Sequence, residues 1–419
     1  MNLLLITPYI PYPLSEGGKI SQFAMIDYLR NNQNITLVLL ADQIEKLNDI
    51  NALKSFWPNV DIETISTYEK NPPKRSTSRV IIDQIKSVKN SLNKETISIT
   101  PKSDFDRSDV INLTYLKSRD FIKQLNTIIN KKRYDLAQID FLDFIDLVNL
   151  IPVNTKKIFV HHEIRFARLI TGLDSSFDVY QNYIINYVKA AEAKMLSLYD
   201  GILVFSDDDK KKLEDLPELK GKVFNSPFPI LNADFIEISD TAEVINKITF
   251  IGGDTHYPNF DAVQWFTDEI IPLMHSSLQL HVVGIWSKEN MDLILEKSNG
   301  QVIFSGFVDD LIMYCKNSIM VVPLRLGSGI RTKILYAMAH GTPIISTSIG
   351  CEGLGITNLK EMVIADTKQE FADAVISLTQ DILLMKNLIV NAQHFAKSRY
   401  SQDAAGSVRL ELIKSIIAN

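Results

Sequence analysis

A chain of 419 residues exceeds one ordinary hydrophobic core and suits two α/β domains of roughly 200 residues each. Hydrophobic residues at 46% and charged residues at 22% exclude a disordered or fibrous chain, and a net charge of −6 gives no reason to expect a nucleic-acid partner. Only Cys315 and Cys351 are present, which excludes a disulfide framework and fits a reducing compartment.

The opening residues, MNLLLITPYIPYPL, are apolar, but no basic region precedes them and prolines interrupt the run. They are expected to form a buried strand rather than a signal peptide. Nowhere do eighteen uncharged apolar residues follow one another, so the expectation is a cytoplasmic protein, soluble or peripheral at the inner face of a membrane. Gly17 and Gly18 follow the first strand and precede a helical pattern, where their N–H groups face phosphate or sugar or simply form a tight turn. Further apolar runs lie at 35 to 40, 134 to 139, 157 to 160 and 201 to 206, alternating with helical patterns. This alternation predicts a parallel sheet with crossover helices.

Residues 66 to 130 are polar, basic and poor in strand signal, and look like an insertion. Within them, residues 70 to 94 carry seven Lys and Arg against Asp83 alone, with apolar residues interleaved. Such a stretch suits an anionic membrane surface or a solvated loop and helix face equally well. His161 and His162 lie at the carboxyl end of the strand at 157 to 160, one of them expected to point into the cleft and the other inward. Neither has metal-ligand spacing to a third ligand, so no metal is expected.

Prolines in NSPFPILNAD, at 225 to 234, mark a linker near 226 to 243. This divides the chain into a domain at 1–230 and a domain at 240–400, with a last helix, 401–419, returning to the first. The second domain repeats the strand grammar at 247 to 252, 278 to 284, 301 to 306, 319 to 324 and 342 to 347. Two doubly wound, Rossmann-like domains of this kind bind ligands in the crevice between the carboxyl ends of their sheets.

The most informative segment runs from Val321 to Gly355. A buried strand enters Gly327, Ser328 and Gly329, and a helix opens at Ile330 with Arg331, Thr332 and Lys333 in its first turn. Cations at a helix N-terminus oppose its dipole, an arrangement that makes sense where a diphosphate docks. The same residues also fit a plain glycine turn with two solvated cations. GSG after a strand mimics a dinucleotide fingerprint, but Thr332 stands where its third glycine would be, so no NAD is expected.

This segment resembles the donor-binding signature of the family 4, or group 1, retaining glycosyltransferases. FIGGDTHYPNFDAVQWF at 250 to 266 resembles that family's opening unit of the C-terminal domain, through Gly252, Gly253 and Asn259. FSGFVDD at 304 to 310 resembles its base-supporting loop, with Phe307. SEGGK at 15 to 19 and VHHEIRFAR at 160 to 168 extend the likeness more thinly into the first half.

The resemblance implies the two-domain GT-B architecture, in which the domain at 1–230 binds the acceptor and that at 240–400 the nucleotide sugar. It implies a retaining sugar transfer from a UDP- or GDP-linked donor to a glycan or lipid-linked acceptor, without a further cofactor. It implies that Arg331 and Lys333 stabilise the leaving diphosphate and that His162 orients sugar or acceptor, with His161, Glu163 and Arg165 on the acceptor side. Family members commonly carry two glutamates eight positions apart. Here Ser328 and Tyr336 stand instead, leaving the Tyr336 hydroxyl or Glu352 to meet the ribose. Two alternatives remain: a GT-B protein that binds nucleotide or glycan without transfer, and a sugar-nucleotide epimerase on the same plan.

Overall fold

The computed structural model describes residues 1–44, 46–67, 116–171, 178–238, 244–274, 277–327 and 329–418. The basic stretch at 70 to 94 and Ser328 lie outside these.

The first sheet comprises β1 (Asn2–Thr7), β2 (Asn34–Ala41), β3 (Asp61–Ser66), β4 (Leu136–Asp140), β5 (Lys156–Val160), β6 (Gly201–Val204) and β7 (Val223–Asn225). All pair in parallel, in the order β3-β2-β1-β4-β5-β6-β7. The second sheet, also parallel, is ordered β10-β9-β8-β11-β12-β13. Its strands are β8 (Lys247–Ile251), β9 (Leu280–Val283), β10 (Val302–Gly306), β11 (Ser318–Val322), β12 (Ile344–Ser346) and β13 (Val363–Ile364).

The helices of the first half are α1 (Gly17–Leu29), α2 (Lys46–Phe56), α3 (Arg119–Ile129), α4 (Arg165–Thr171), α5 (Val179–Leu196) and α6 (Asp207–Glu214). In the second half α7 runs over Tyr257–Trp265 and continues through a π turn, Phe266–Ile270, into Ile271–Met274. There follow α8 (Lys288–Lys297), α9 (Leu311–Cys315), α10 (Thr332–Ala339), α11 (Lys368–Gln380), α12 (Ile382–Tyr400) and α13 (Gln402–Ala418).

Parallel strands covered by helices on both faces must be apolar throughout. Leu3, Leu4, Leu5 and Ile6 of β1 and Ile319, Met320, Val321 and Val322 of β11 are accordingly all buried. In both sheets the strand order reverses beside the first strand, between β1 and β4 and between β8 and β11. Ligand crevices of open α/β sheets form outside the carboxyl ends of the strands at such switch points.

The chain crosses between the sheets twice. Outbound, Ile230 N–H donates to Tyr400 O at 2.7 Å, so the linker runs beside the returning segment, and Ile230 bridges Ser401 in parallel. Gln393 of α12 steadies the linker by donating to Ile236 O at 2.7 Å and to Ala339 O at 2.8 Å. Inbound, α13 packs on α1: Gln402 donates to Asp27 Oδ2 at 2.8 Å, and Gly406 faces the Tyr28 ring.

Gly406 is the test of that packing, because a Cβ there would meet Tyr28 Cγ at 2.3 Å, close to the Tyr28 backbone, where the ring cannot swing aside. Overpacking costs about 1–3 kcal/mol, more than the ~1 kcal/mol that alanine gains over glycine in a helix. Gly406→Ala is therefore expected to lower the urea midpoint, and an unchanged or raised midpoint would show that α13 does not depend on this close approach.

Candidate active site

The loops after β1, β4, β8 and β11 converge on the crevice. Three of the helices that open there lack what the others have. Ser118, Asp178, Ser206, Ser287, Asp310, Thr367 and Asp381 cap α3, α5, α6, α8, α9, α11 and α12 through their side chains. The N-cap residues of α1, α7 and α10, which are Glu16, His256 and Arg331, make no such bond. Each of these helices presents the positive end of its dipole to the crevice without a side-chain cap to neutralise it.

On the second-domain wall, Lys333 Nζ donates to Asn259 Oδ1 at 3.1 Å and lies 4.2 Å from the centre of the Phe250 ring. Asn259 Nδ2 in turn donates to Gly253 O at 2.8 Å. A Cβ on Gly253 would stand 2.6 Å from Ile285 O, and Gly252 adopts φ +148, so both glycines are required by the turn itself. Lys333 has only neutral partners in this bonding set. Burial pushes its ammonium down to about 7, and the neighbouring Arg331 pushes the same way.

Arg331 folds back over the Gly327–Gly329 turn and donates through Nη1 to Gly329 O at 2.6 Å. Its pKa is lowered by burial and supported by Glu352, Asp209 and Glu163, carboxylates drawn from both sides of the crevice.

Opposite stands His162. Its ring stacks on Phe141, centroids 3.8 Å apart and planes 8° from parallel, and its Nε2 bonds Asp140 Oδ1 at 3.1 Å. A carboxylate accepts only, so Nε2 carries the proton and Nδ1 is left as an acceptor. Burial lowers the His162 pKa, against the pull of Asp140. Phe141 holds φ 65, a conformation a bulky residue rarely adopts, at the loop where β4 meets the crevice. Beside it, Tyr9 packs edge-on to Phe141 and donates to Asp143 Oδ2 at 3.3 Å.

The two walls touch. A Cβ on Gly17 would fall 2.8 Å from Thr332 Oγ1, so the N-termini of α1 and α10 meet across the crevice only because Gly17 has no side chain. Gly18 sits beside Phe141. Lys212 of α6 donates to Glu352 at 3.1 Å, and Gly353, at φ +80, packs on Ser206.

Most of the expected residues meet here, but two take other places. His161 is 3% exposed and bonds Glu192 of α5 at 2.8 Å, and the same carboxylate accepts the Arg165 and Phe166 N–H groups. It anchors the start of α4 and does not reach an acceptor, because alternation along the chain turned it inward while His162 faced the crevice. Glu352 stays at the crevice, where it pairs with Lys212 and supports the Arg331 charge. Glu163 pairs with Arg168 at 2.9 Å on an exposed face.

Phe307 is 70% exposed at the end of β10, and Ile330 lies near Gly353 at the same seam. Tyr336 carries a buried hydroxyl with no hydrogen-bond partner, and burial raises its pKa far above the usual phenol range. One turn on, His340 has a buried Nε2 in the same condition, its pKa pushed down to about 4 by burial. Sequence reasoning missed Asp140, Phe141, Lys212 and His340. Of these Asp140 had a signal: a carboxylate ending an otherwise apolar strand at the switch point.

Residues 245–381 match the family model described as glycosyl transferases group 1. The likeness to the group 1 glycosyltransferases thus spans most of the second sheet and its helices. Over nearly the whole length the chain is 22% identical to an uncharacterized 44.6 kDa protein in the cps region of Klebsiella pneumoniae, covering 95% of this chain and 96% of that one. Among solved structures it superposes on sucrose-phosphate synthase from Thermosynechococcus elongatus with a TM-score of 0.68 at 16% identity, covering 100% and 99% of the two chains. It superposes on HepE from Anabaena in complex with UDP with a TM-score of 0.63 at 12% identity, covering 99% and 100%. The architecture is GT-B.

With Lys333 buried in this way, binding of a nucleotide diphosphate in the crevice is expected to move a proton. With its pKa at about 7, Lys333 is largely neutral at pH 8, and a docked diphosphate restores the cation. Binding should therefore take up a proton at pH 8, and affinity should fall as pH rises through and beyond about 7. Calorimetry of UDP or GDP in buffers of different ionisation enthalpy reads the uptake directly. Its persistence in Lys333→Met would assign it to another group. Stability follows the same shift. The folded chain holds fewer protons than the unfolded one between about 7 and the ordinary lysine range, so this lysine's burial costs most at and below pH 7 and the cost fades as pH rises.

Proposed function

We propose that this enzyme transfers a hexose from a UDP- or GDP-linked donor to a glycan or lipid-linked acceptor, with retention at the anomeric carbon, in the synthesis of cell-surface polysaccharide or glycoconjugate. The observation that carries this reading is the convergence of three uncapped helix N-termini with Lys333 and Arg331 on one crevice wall, facing the His162–Asp140 pair on the other. The Klebsiella relative's place in a cps region supports the polysaccharide setting. HepE is described in complex with UDP-glucose, and a mutant TarM from S. aureus with UDP, Fondaparinux and alpha-GlcNAc-glycerol, which favours UDP as the nucleotide.

Charge builds on the diphosphate as the glycosidic bond breaks. Lys333, Arg331 and the α10 N-terminus stabilise it, with Asn259, Gly252 and Gly253 shaping the approach and Gly327, Gly329, Ile330 and Thr332 flanking the diphosphate, while Ser328 lies outside the described residues. The leaving phosphate oxygen accepts the proton of the attacking hydroxyl on the same face. His162 accepts a sugar hydroxyl through Nδ1 and orients it, while Arg165, near Tyr9, lines the acceptor side. Gly17 and Gly18 let α1 approach the diphosphate, and closure of the seam excludes water. The Tyr336 hydroxyl meets the ribose and Phe307 supports the base. No divalent metal takes part, and residues 70 to 94 bring the enzyme to an anionic membrane.

Purified protein assayed with UDP- and GDP-sugars, for donor hydrolysis and for transfer to lipid-linked acceptors, is expected to turn over in the presence of EDTA and to give a product of unchanged anomeric configuration. Arg331→Ala should lower turnover by on the order of ten- to a thousandfold in a folded protein. Nucleotide binding without turnover on any donor would favour a binding protein. Tyr336→Phe should weaken UDP or GDP several-fold, the worth of one hydrogen bond of about 1 kcal/mol, and equal affinity would make Tyr336 a packing residue.

A further inference from the structure

Helix α13 carries an arginine where a helix lying against a sheet ordinarily carries an aliphatic residue. Arg409 is 2% exposed. A guanidinium so enclosed costs several kcal/mol unless an opposite charge answers it. Its Nε donates to Ser226 Oγ at 2.5 Å, a neutral partner that cannot supply that charge. The answering charge is Asp140, itself 3% exposed, whose field opposes the fall in Arg409 pKa that burial causes.

Asp140 is the residue that holds His162. Its Oδ1 takes His162 Nε2 at 3.1 Å and its Oδ2 takes Gln138 Nε2 at 2.7 Å. Arg409, Asp140, His162, Gln138 and Gln22 all line one small cavity under the floor of the crevice. An arginine from the last helix of the chain thus shares a largely apolar cavity with His162 and Asp140.

We propose that Arg409 is a positioning residue for the transfer: facing the Asp140 carboxylate across the cavity they share, its charge keeps that carboxylate in place, and Asp140 in turn fixes the orientation and tautomer in which His162 meets the sugar. The proposal rests on the assignment of His162 to the sugar. Three charged or titratable groups act on the His162 ring, namely Asp140 from β4, Arg409 from α13 and, through its charge alone, the inward-turned His161 from the end of β5, with Phe141 and Phe205 against its faces. Asp140 favours the imidazolium, while Arg409 and His161 oppose it. Burial is the main reason the ring stays uncharged and Arg409 adds to it, so that its Nδ1 accepts from a hydroxyl instead of adding a third cation opposite Lys333 and Arg331. The span from donor to acceptor wall is continuous, because α13 follows α12, which packs against α10.

The test is a ring-nitrogen NMR titration of His162 in the full chain without sugar or nucleotide, in the parent, Arg409→Met and Arg409→Lys. Removing the opposing cation should raise the His162 midpoint by half a pH unit or more in Arg409→Met, and Arg409→Lys should restore it toward the parent value. The acid limb of kcat/KM should rise in step. An unmoved His162 midpoint in folded Arg409→Met overturns the proposal. If Arg409→Met does not fold, Arg409→Gln takes its place under the same criterion. Because the titration needs no donor or acceptor, it separates the two ideas: a moved midpoint in a protein that transfers no sugar would uphold the Arg409 linkage and reject the transferase reading.

Discussion

The arrangement depends on one electrostatic constraint, the placing of two cations at the positive end of a helix. Lys333 and Arg331 stand in and before the first turn of α10, whose dipole already opposes them, and they disfavour each other. Folding alone would not choose this. The Lys333 ammonium is met by a neutral amide and an aromatic face, which soften the penalty without cancelling it. Such a site gains most when an anion arrives, and its energy is then strongest for the species carrying the most negative charge. That is the requirement of a reaction in which a diphosphate leaves.

The seam between the walls follows from the same constraint. Arg331 is answered by Glu352, Asp209 and Glu163, and these come from both halves of the chain. Lys212 draws Glu352 toward α6, while Gly17 and Gly353 remove the side chains that would hold the walls apart. A surface ion pair contributes little by itself. Its value here is geometric, since it accompanies the close approach of the α1 N-terminus to the start of α10 and narrows the crevice.

Much of the fold was legible because parallel strands buried on both faces are continuous apolar runs, so β1, β2, β4, β8, β9 and β11 stand out in the chain. β3, with the sequence DIETIS, escaped because it is an edge strand with one polar side, and β7 and β13 are too short for any periodicity. The glycine turns were legible because φ +108 at Gly327 and +82 at Gly329 demand glycine, and two cations beside them are chemically distinctive. The choice between His161 and His162 was not legible, since it rests on Glu192, thirty-one positions away from His161. The pairing of Glu352 was not legible for a similar reason: its partner, Lys212, lies 140 positions upstream.

The walls solve opposite electrostatic problems. The donor wall keeps an excess of positive charge unanswered by any carboxylate at Lys333, and that excess is what a diphosphate can use. The acceptor wall buries a charged pair in balance, Arg409 against Asp140, and sets a neutral ring on top of it. A cationic His162 would compete for the diphosphate and lose its acceptor nitrogen. A His162 without Asp140 would lose its fixed tautomer. Burying the balancing cation on the last helix, out of reach of the crevice, allows the ring to be held by a carboxylate while the surface the sugar meets stays uncharged.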